Sequence, residues 1–147
     1  MAIRYEHTQP GYVTLGAVGG AALVLAGTFL RKAAAAKFFP GMLLLGAAGS
    51  VFSSLTILVT DDELLARFGP GVPVKRVKLA DVQSVEPVRN PWYYGWGIRL
   101  TPRGMLYNVS GFDAVEVRMR SGKVFRLGTD EPDRLVEAIE EAKAAAA

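Results

Sequence analysis

Few residues in this chain are of the types that perform chemistry. Its 147 residues include no cysteine and a single histidine, His7. Disulfides, thiolate metal sites and cysteine nucleophiles are excluded, and one histidine in the N-terminal region gives no basis for a zinc site or a Ser-His-Asp triad. The acidic run Asp61-Asp62-Glu63 lacks the spaced ligands and the glycine of a calcium-binding loop. We therefore predict no catalysis, no metal and no other cofactor.

The net charge of +3 does not indicate a nucleic-acid partner. All of it lies before Thr60, where four Lys or Arg residues are accompanied by Glu6 alone; from Thr60 onward, 13 basic and 13 acidic residues cancel. Binding to a phosphate backbone needs a dense basic surface, which this distribution does not provide. The sequence predicts no nucleic-acid partner, and no motif points to a small-molecule substrate.

The aromatic segment 90–96 is the first candidate binding site, because it contains both tryptophans of the chain. Trp92, Tyr93 and Tyr94 have amphipathic rings that suit a lipid headgroup region, or they can receive a peptide or a partner helix. The alternative is structural: Trp96 belongs to the core and the neighbouring rings pad a turn.

Cations at alternating strand positions form the second candidate site. If Arg99, Arg118 and Arg126 share the outer face of a sheet, they make a positive patch that attracts anionic lipid headgroups by about 1 kcal/mol per residue near the surface. The alternative is that these charges only keep an outward sheet face soluble.

Two uncharged runs predict a transmembrane helical hairpin, with spans at residues 11–30 and 38–53. At about 1.5 Å per residue the first run reaches about 30 Å, the thickness of a hydrocarbon core, and Arg31 and Lys32 follow it. A cleaved signal peptide and a helical hairpin buried in a soluble protein are the alternatives, and both fit the length and apolarity of these runs less well.

Small residues four apart, Gly16 with Gly20 and Gly46 with Ser50, favour helix–helix packing within lipid. The predicted protein is therefore a multi-pass protein of the cell membrane. Its predicted partners are the lipid bilayer and a membrane protein or a second copy. Positive charges flanking the spans favour a cytoplasmic domain only slightly.

From residue 54 the hydrophobic period changes to two, as in Leu55, Ile57 and Val59. About seven such strands precede one amphipathic helix with Leu135, Ile139 and Ala142 on one face. The predicted fold class is α+β: two transmembrane helices, then an antiparallel β roll or barrel closed by the C-terminal helix. The predicted divisions are an N-terminal tail (1–10), the hairpin (11–53) and the β domain (54–147).

Five segments of the β domain carry a family resemblance: 55–68 (LTILVTDDELLARF), 79–88 (LADVQSVEPV), 94–99 (YGWGIR), 107–111 (YNVSG) and 128–132 (GTDEP). Together they resemble the bacterial PH-like (pleckstrin-homology-like) domains that follow paired membrane spans. The resemblance covers roughly residues 55–142 and implies a rolled sheet closed by a C-terminal helix. It implies no mechanism, because members of that family mostly lack an assigned activity and a fold alone does not specify one.

The predicted function is that of a membrane-anchored PH-like module that binds or scaffolds without catalysis. It would contact a membrane protein or anionic lipid headgroups through its sheet face or its aromatic segment. The alternative is a structural accessory subunit of a larger membrane complex, packed through its small-residue helices.

Overall fold

The computed structural model describes residues 2–29, 37 and 39–147, and within these ranges the chain forms nine β-strands and three α-helices. In chain order they are β1 (Ile3–Pro10), α1 (Tyr12–Phe29), α2 (Phe39–Val51), β2 (Ser54–Thr60), β3 (Glu63–Phe68), β4 (Val74–Lys78), β5 (Val82–Arg89), β6 (Gly97–Thr101), β7 (Gly104–Asn108), β8 (Asp113–Met119), β9 (Val124–Gly128) and α3 (Pro132–Ala146).

The strands form two separate sheets. One has the order β1-β2-β3-β4 and the other the order β5-β8-β9-β7-β6. Neighbouring strands are antiparallel except β7 and β9, which are parallel. The predicted antiparallel roll or barrel is therefore wrong. Because β8 lies between β5 and β9, consecutive strands do not pair around a ring, and each sheet keeps two open edges within the described part of the chain.

The hydrophobic core lies between the two sheets and α3. Apolar side chains at alternate positions of β2 and β8 point inward, as the period of two predicts. Helix α3 packs on strands of both sheets and buries its predicted apolar face. These two predictions are confirmed for Leu55, Ile57, Val59, Val115, Val117, Leu135, Ile139 and Ala142.

The first ten residues, predicted to be a tail, contribute a strand. β1 is antiparallel to β2, with seven residue pairs from Ile3 opposite Thr60 to Pro10 opposite Ser54. Sequence reasoning missed this strand because its partner lies about fifty positions further along the chain. Helices α1 and α2 therefore form an insertion between two paired strands.

The predicted transmembrane spans are wrong. Helices α1 and α2 occur at those places with 18 and 13 residues, respectively. Within residues 2–29, 37 and 39–147, no helix has both the length and the apolar character required to cross a bilayer. The rise of α2 is only about 20 Å, against about 30 Å of hydrocarbon. The predictions of a multi-pass protein of the cell membrane and of a cytoplasmic orientation, which depend on these spans, are therefore wrong as well. Residues 30–36 and 38, including the predicted connection, lie outside the described residues.

Strand β1 is fastened to the beginning of α3 by two ring side chains. The Tyr5 hydroxyl donates a hydrogen bond to the Glu131 carboxylate (3.3 Å), and His7 Nε2 lies 2.6 Å from Asp130 Oδ1. Burial, followed by the negative charge of Glu131, raises the pKa of Tyr5 from its ordinary 10.0 to about 12. The neutral phenol is therefore the form that the folded chain favours.

This pKa shift predicts an alkaline loss of stability that depends on Tyr5. Because the folded pKa exceeds the unfolded pKa, the contribution is complete below pH 10 and is lost as the pH rises toward 12. We expect Tyr5→Phe to flatten the fall in the free energy of unfolding between pH 9 and pH 11.5, measured by urea titration. Parallel profiles for the two proteins would contradict this assignment.

Candidate functional site

The helix pair, defined as α1 and α2, carries most of the large apolar side chains that the described chain exposes to solvent. Val18 of α1 packs against Gly49, the one buried residue of α2. The remaining apolar side chains lie on all sides of both helices, and neither helix has a charged face. Large exposed apolar residues of the pair are Tyr12, Val13, Leu15, Leu23, Val24, Phe39, Met42, Leu43 and Leu44.

The predicted small-residue positions lie on this exposed surface. A methyl group added at Gly16, Gly20 or Gly46 would have no neighbour within 4 Å outside its own helix, and Ser50 is exposed. These residues therefore do not form the contact between α1 and α2, which Gly49 provides. Their open surroundings leave room for the close approach of another helix.

The base of the helix pair, formed by Gly11, Phe52 and Ser53, is joined to both sheets. The Gly11 N–H donates to the Ser53 carbonyl (2.7 Å), which closes the insertion across the ends of β1 and β2. The Phe52 ring packs edge-on against Phe68 at 5.5 Å between centroids. It also lies close to Gly97, where a Cβ would contact the ring at 3.8 Å. This last contact brings the aromatic segment next to the helix pair.

The aromatic loop, defined as residues 90–96, folds back over the outer face of the second sheet. The Asn90 N–H donates to the Phe112 carbonyl (2.7 Å), and Trp96 Nε1 donates to the Gly111 carbonyl (3.0 Å). Trp96 is half-buried against Phe112 and is not a core residue. Trp92 and Tyr93 are 76% and 67% exposed. The loop is therefore fixed at both ends and offers two uncovered rings.

A buried ion pair lies beneath this loop. Arg126 and Glu116 are only 8% and 3% exposed, and Arg126 Nη2 lies 2.8 Å from Glu116 Oε2. Arg126 Nη1 also donates to Asn90 Oδ1 (2.9 Å), and its guanidinium lies 5.9 Å from the centre of the Tyr94 ring. Arg126 thus holds the loop on the sheet.

The interpretation of Arg126 as a solvent-facing cation is wrong. Strand alternation correctly places Arg126 on the face of the sheet opposite to that of Phe125, but the aromatic loop covers that face. Arg118 is exposed and lies 3.5 Å from Glu116, which partly offsets its charge. Arg99 is exposed beside the loop, where its Nε donates to the Trp96 carbonyl (2.7 Å). The three arginines therefore do not form one positive patch.

Sequence reasoning missed the residues that anchor the loop and a group of cations on β4. No local pattern marks Asn90 or Glu116 as a partner of Arg126, since the three are brought together only by strand pairing. The basic run Lys75, Arg76 and Lys78 was visible in the sequence, but its position on a sheet edge was not.

Comparisons with protein-family models, with curated proteins and with solved structures find no match to this chain. The PH-like similarity therefore remains a resemblance carried by five short segments.

Proposed function

We propose that this chain is a non-catalytic binding module that joins a larger protein assembly, with its helix pair packed among apolar helices of a partner chain. The observation that carries the proposal is the exposed apolar surface on all sides of α1 and α2. Monomeric soluble proteins rarely expose contiguous apolar patches of more than a few hundred Å², and larger ones mark interaction sites.

The distribution of apolar residues favours helices as the partner element. A helix that docks on a flat protein surface needs one apolar face, whereas α1 and α2 are apolar on every side and must be enclosed. The open positions at Gly16, Gly20 and Gly46 allow the backbones of other helices to approach closely. The two sheets would remain outside this bundle and carry the aromatic loop beside it.

Site-specific photo-crosslinking in the native cells tests this proposal. A photoreactive amino acid placed at Leu23 or Leu44, both about three-quarters exposed, should give adducts of discrete mass with one protein. Mass spectrometry of the adduct then distinguishes a second copy of this chain from a different partner. The same amino acid at Val72, which is exposed in the turn between β3 and β4, should give no such adduct.

A pair of substitutions makes the test specific. Gly16→Trp together with Gly46→Trp fills the space into which partner helices would pack, and should reduce the adduct at Leu23 at least fivefold. Val72→Trp is the matched control and should leave the adduct unchanged. Thermal unfolding of the sheets must be unaltered in both variants. Absence of protein adducts at both Leu23 and Leu44 would refute the proposal.

A second candidate function is contact between the aromatic loop and anionic lipid headgroups. Two observations favour it: Trp92 and Tyr93 are exposed, and Arg99 lies beside the loop that carries them. Amphipathic rings are favoured at the lipid–water interface. The proposal concerns surface contact by the loop and needs no helix to enter the lipid.

Tryptophan quenching by brominated lipid tests this candidate. With Trp96→Phe the remaining indole is Trp92, and its fluorescence should fall by about half on vesicles of brominated phosphatidylcholine and phosphatidylserine. With Trp92→Phe the remaining Trp96, held by Gly111, should be quenched much less. Equal quenching of the two, or none on vesicles that contain phosphatidylserine, would remove lipid contact from consideration.

A further inference from the structure

A basic cleft lies between β4, an edge of the first sheet, and the turn that joins β8 to β9. It has a volume of about 410 Å³, within the range of small-molecule sites. Its charged lining is Lys75, Arg76, Lys78 and Lys123, with Asp81 as the one carboxylate. Cations from two distant parts of the sequence therefore converge on one cleft.

The lysines of this cleft are not neutralised by the described residues around them. No carboxylate of the described chain lies within 4.0 Å of the ammonium groups of Lys75, Lys78 or Lys123. Arg76 has a single distant partner, Glu63, at 3.6 Å. A concentration of like charge destabilises the unoccupied cleft, and a multivalent anion would relieve that repulsion.

Lys75 is also held in position by aromatic rings. Its ammonium group lies 5.0 Å from the centre of the Phe125 ring and 6.0 Å from that of Tyr107. These contacts orient a side chain that is otherwise flexible, because the ring faces attract a cation. The half-buried Lys75 thus forms an ordered inner wall, while Lys78 and Lys123 remain exposed at the rim.

We propose that the basic cleft binds a small ligand that carries two or more phosphate groups. Lysine ammonium groups bind phosphate as point charges. Because the cations come from β4 and from the β8–β9 turn, a ligand must present negative charge to both sides, which one monovalent carboxylate cannot do. The cleft is separate from the aromatic loop and the helix pair, so this inference does not depend on the proposed function.

Calorimetric titration of the full chain with pyrophosphate tests the inference. We expect one binding site, weakened at least tenfold when NaCl is raised from 50 to 500 mM, since added salt screens the charges. Sulfate, a compact divalent ion, should bind at least tenfold more weakly than pyrophosphate. Equal binding of the two anions would overturn the proposal.

Charge-removing variants localise the site. Lys78→Gln with Lys123→Gln should weaken pyrophosphate binding at least tenfold, and Lys75→Met should weaken it while keeping a side chain of similar length beside Phe125. The matched control Arg89→Gln removes a positive charge opposite Asp113, at the end of β8 away from the β8–β9 turn, and should change affinity less than twofold. Unchanged binding by the lysine variants would overturn the assignment.

A vesicle assay identifies the source of the phosphate groups. Vesicles that contain a bisphosphorylated headgroup are compared with vesicles of equal charge made with phosphatidylserine, using the full chain and the Lys78→Gln, Lys123→Gln variant. Saturable pyrophosphate binding without a headgroup preference supports a soluble ligand. A preference for the bisphosphorylated vesicles that the variant loses supports a lipid headgroup. If the chain neither binds pyrophosphate nor prefers the bisphosphorylated vesicles, the inference is overturned.

Discussion

Glu116→Gln should lower the free energy of unfolding by about 3 to 5 kcal/mol, although Gln has nearly the same shape as Glu. The substitution removes the negative charge that compensates the buried guanidinium of Arg126, which is left with neutral partners only: the introduced amide, Asn90 and the Tyr94 ring. An uncompensated buried charge is among the most costly defects in a folded protein. Urea denaturation followed by circular dichroism measures the loss.

A double-mutant cycle separates the pair from its surroundings. Arg126→Met alone should cost about as much as Glu116→Gln, whereas Glu116→Gln combined with Arg126→Met should cost less than the two single losses added together. The matched control is Arg89→Gln, which breaks an exposed ion pair of 2.9 Å with Asp113 and should cost below about 1 kcal/mol. Additive losses, or a large effect of Arg89→Gln, would contradict this account.

Replacing residues 12–51 by Asn-Gly should give a protein that keeps both sheets. The Gly11–Ser53 hydrogen bond already joins the two ends of the insertion, and Asn-Gly followed by Phe52 makes a three-residue connection, a common length between antiparallel strands. We expect a cooperative thermal transition, since the core between the sheets and α3 has no contribution from α1 and only a peripheral one from Val51 of α2. The deletion should also abolish assembly with the proposed partner chain, because it removes the helix pair.

The informative comparison is a fragment of residues 54–147, which removes β1 together with the helices. It loses all seven residue pairs between β1 and β2 and the contacts of Tyr5 and His7 with the start of α3. We expect its midpoint of thermal unfolding to lie at least 15 °C below that of the Asn-Gly protein, which corresponds to a few kcal/mol for a domain of this size. Equal midpoints would show that β1 is dispensable.

The features predicted correctly from the sequence are those set by local pattern. The period of two in β2 and the buried face of α3 follow from where apolar residues recur. Each of these depends on residues that are close together in the chain.

The features predicted wrongly depend on residues far apart in the chain. β1 has only a weak alternation, and its place in the sheet is decided by β2. Alternation assigned Arg126 to the outer face of its sheet, but whether that face meets water depends on the path of residues 90–96. Apolar composition also predicted a span at α2, but its 13 residues rise only about 20 Å, which is too short to cross a bilayer.

The pairing of β1 with β2 has a consequence for synthesis. β1 emerges from the ribosome before β2, and Thr60, the partner of Ile3, is synthesised 57 positions after it. Until then β1 has no strand to pair with, while the apolar segment between β1 and β2 has already emerged from the ribosome. A nascent chain therefore exposes the apolar segment that forms α1 and α2 before β1 can pair with β2. A chaperone or a partner chain that binds during synthesis would have its greatest effect in that interval.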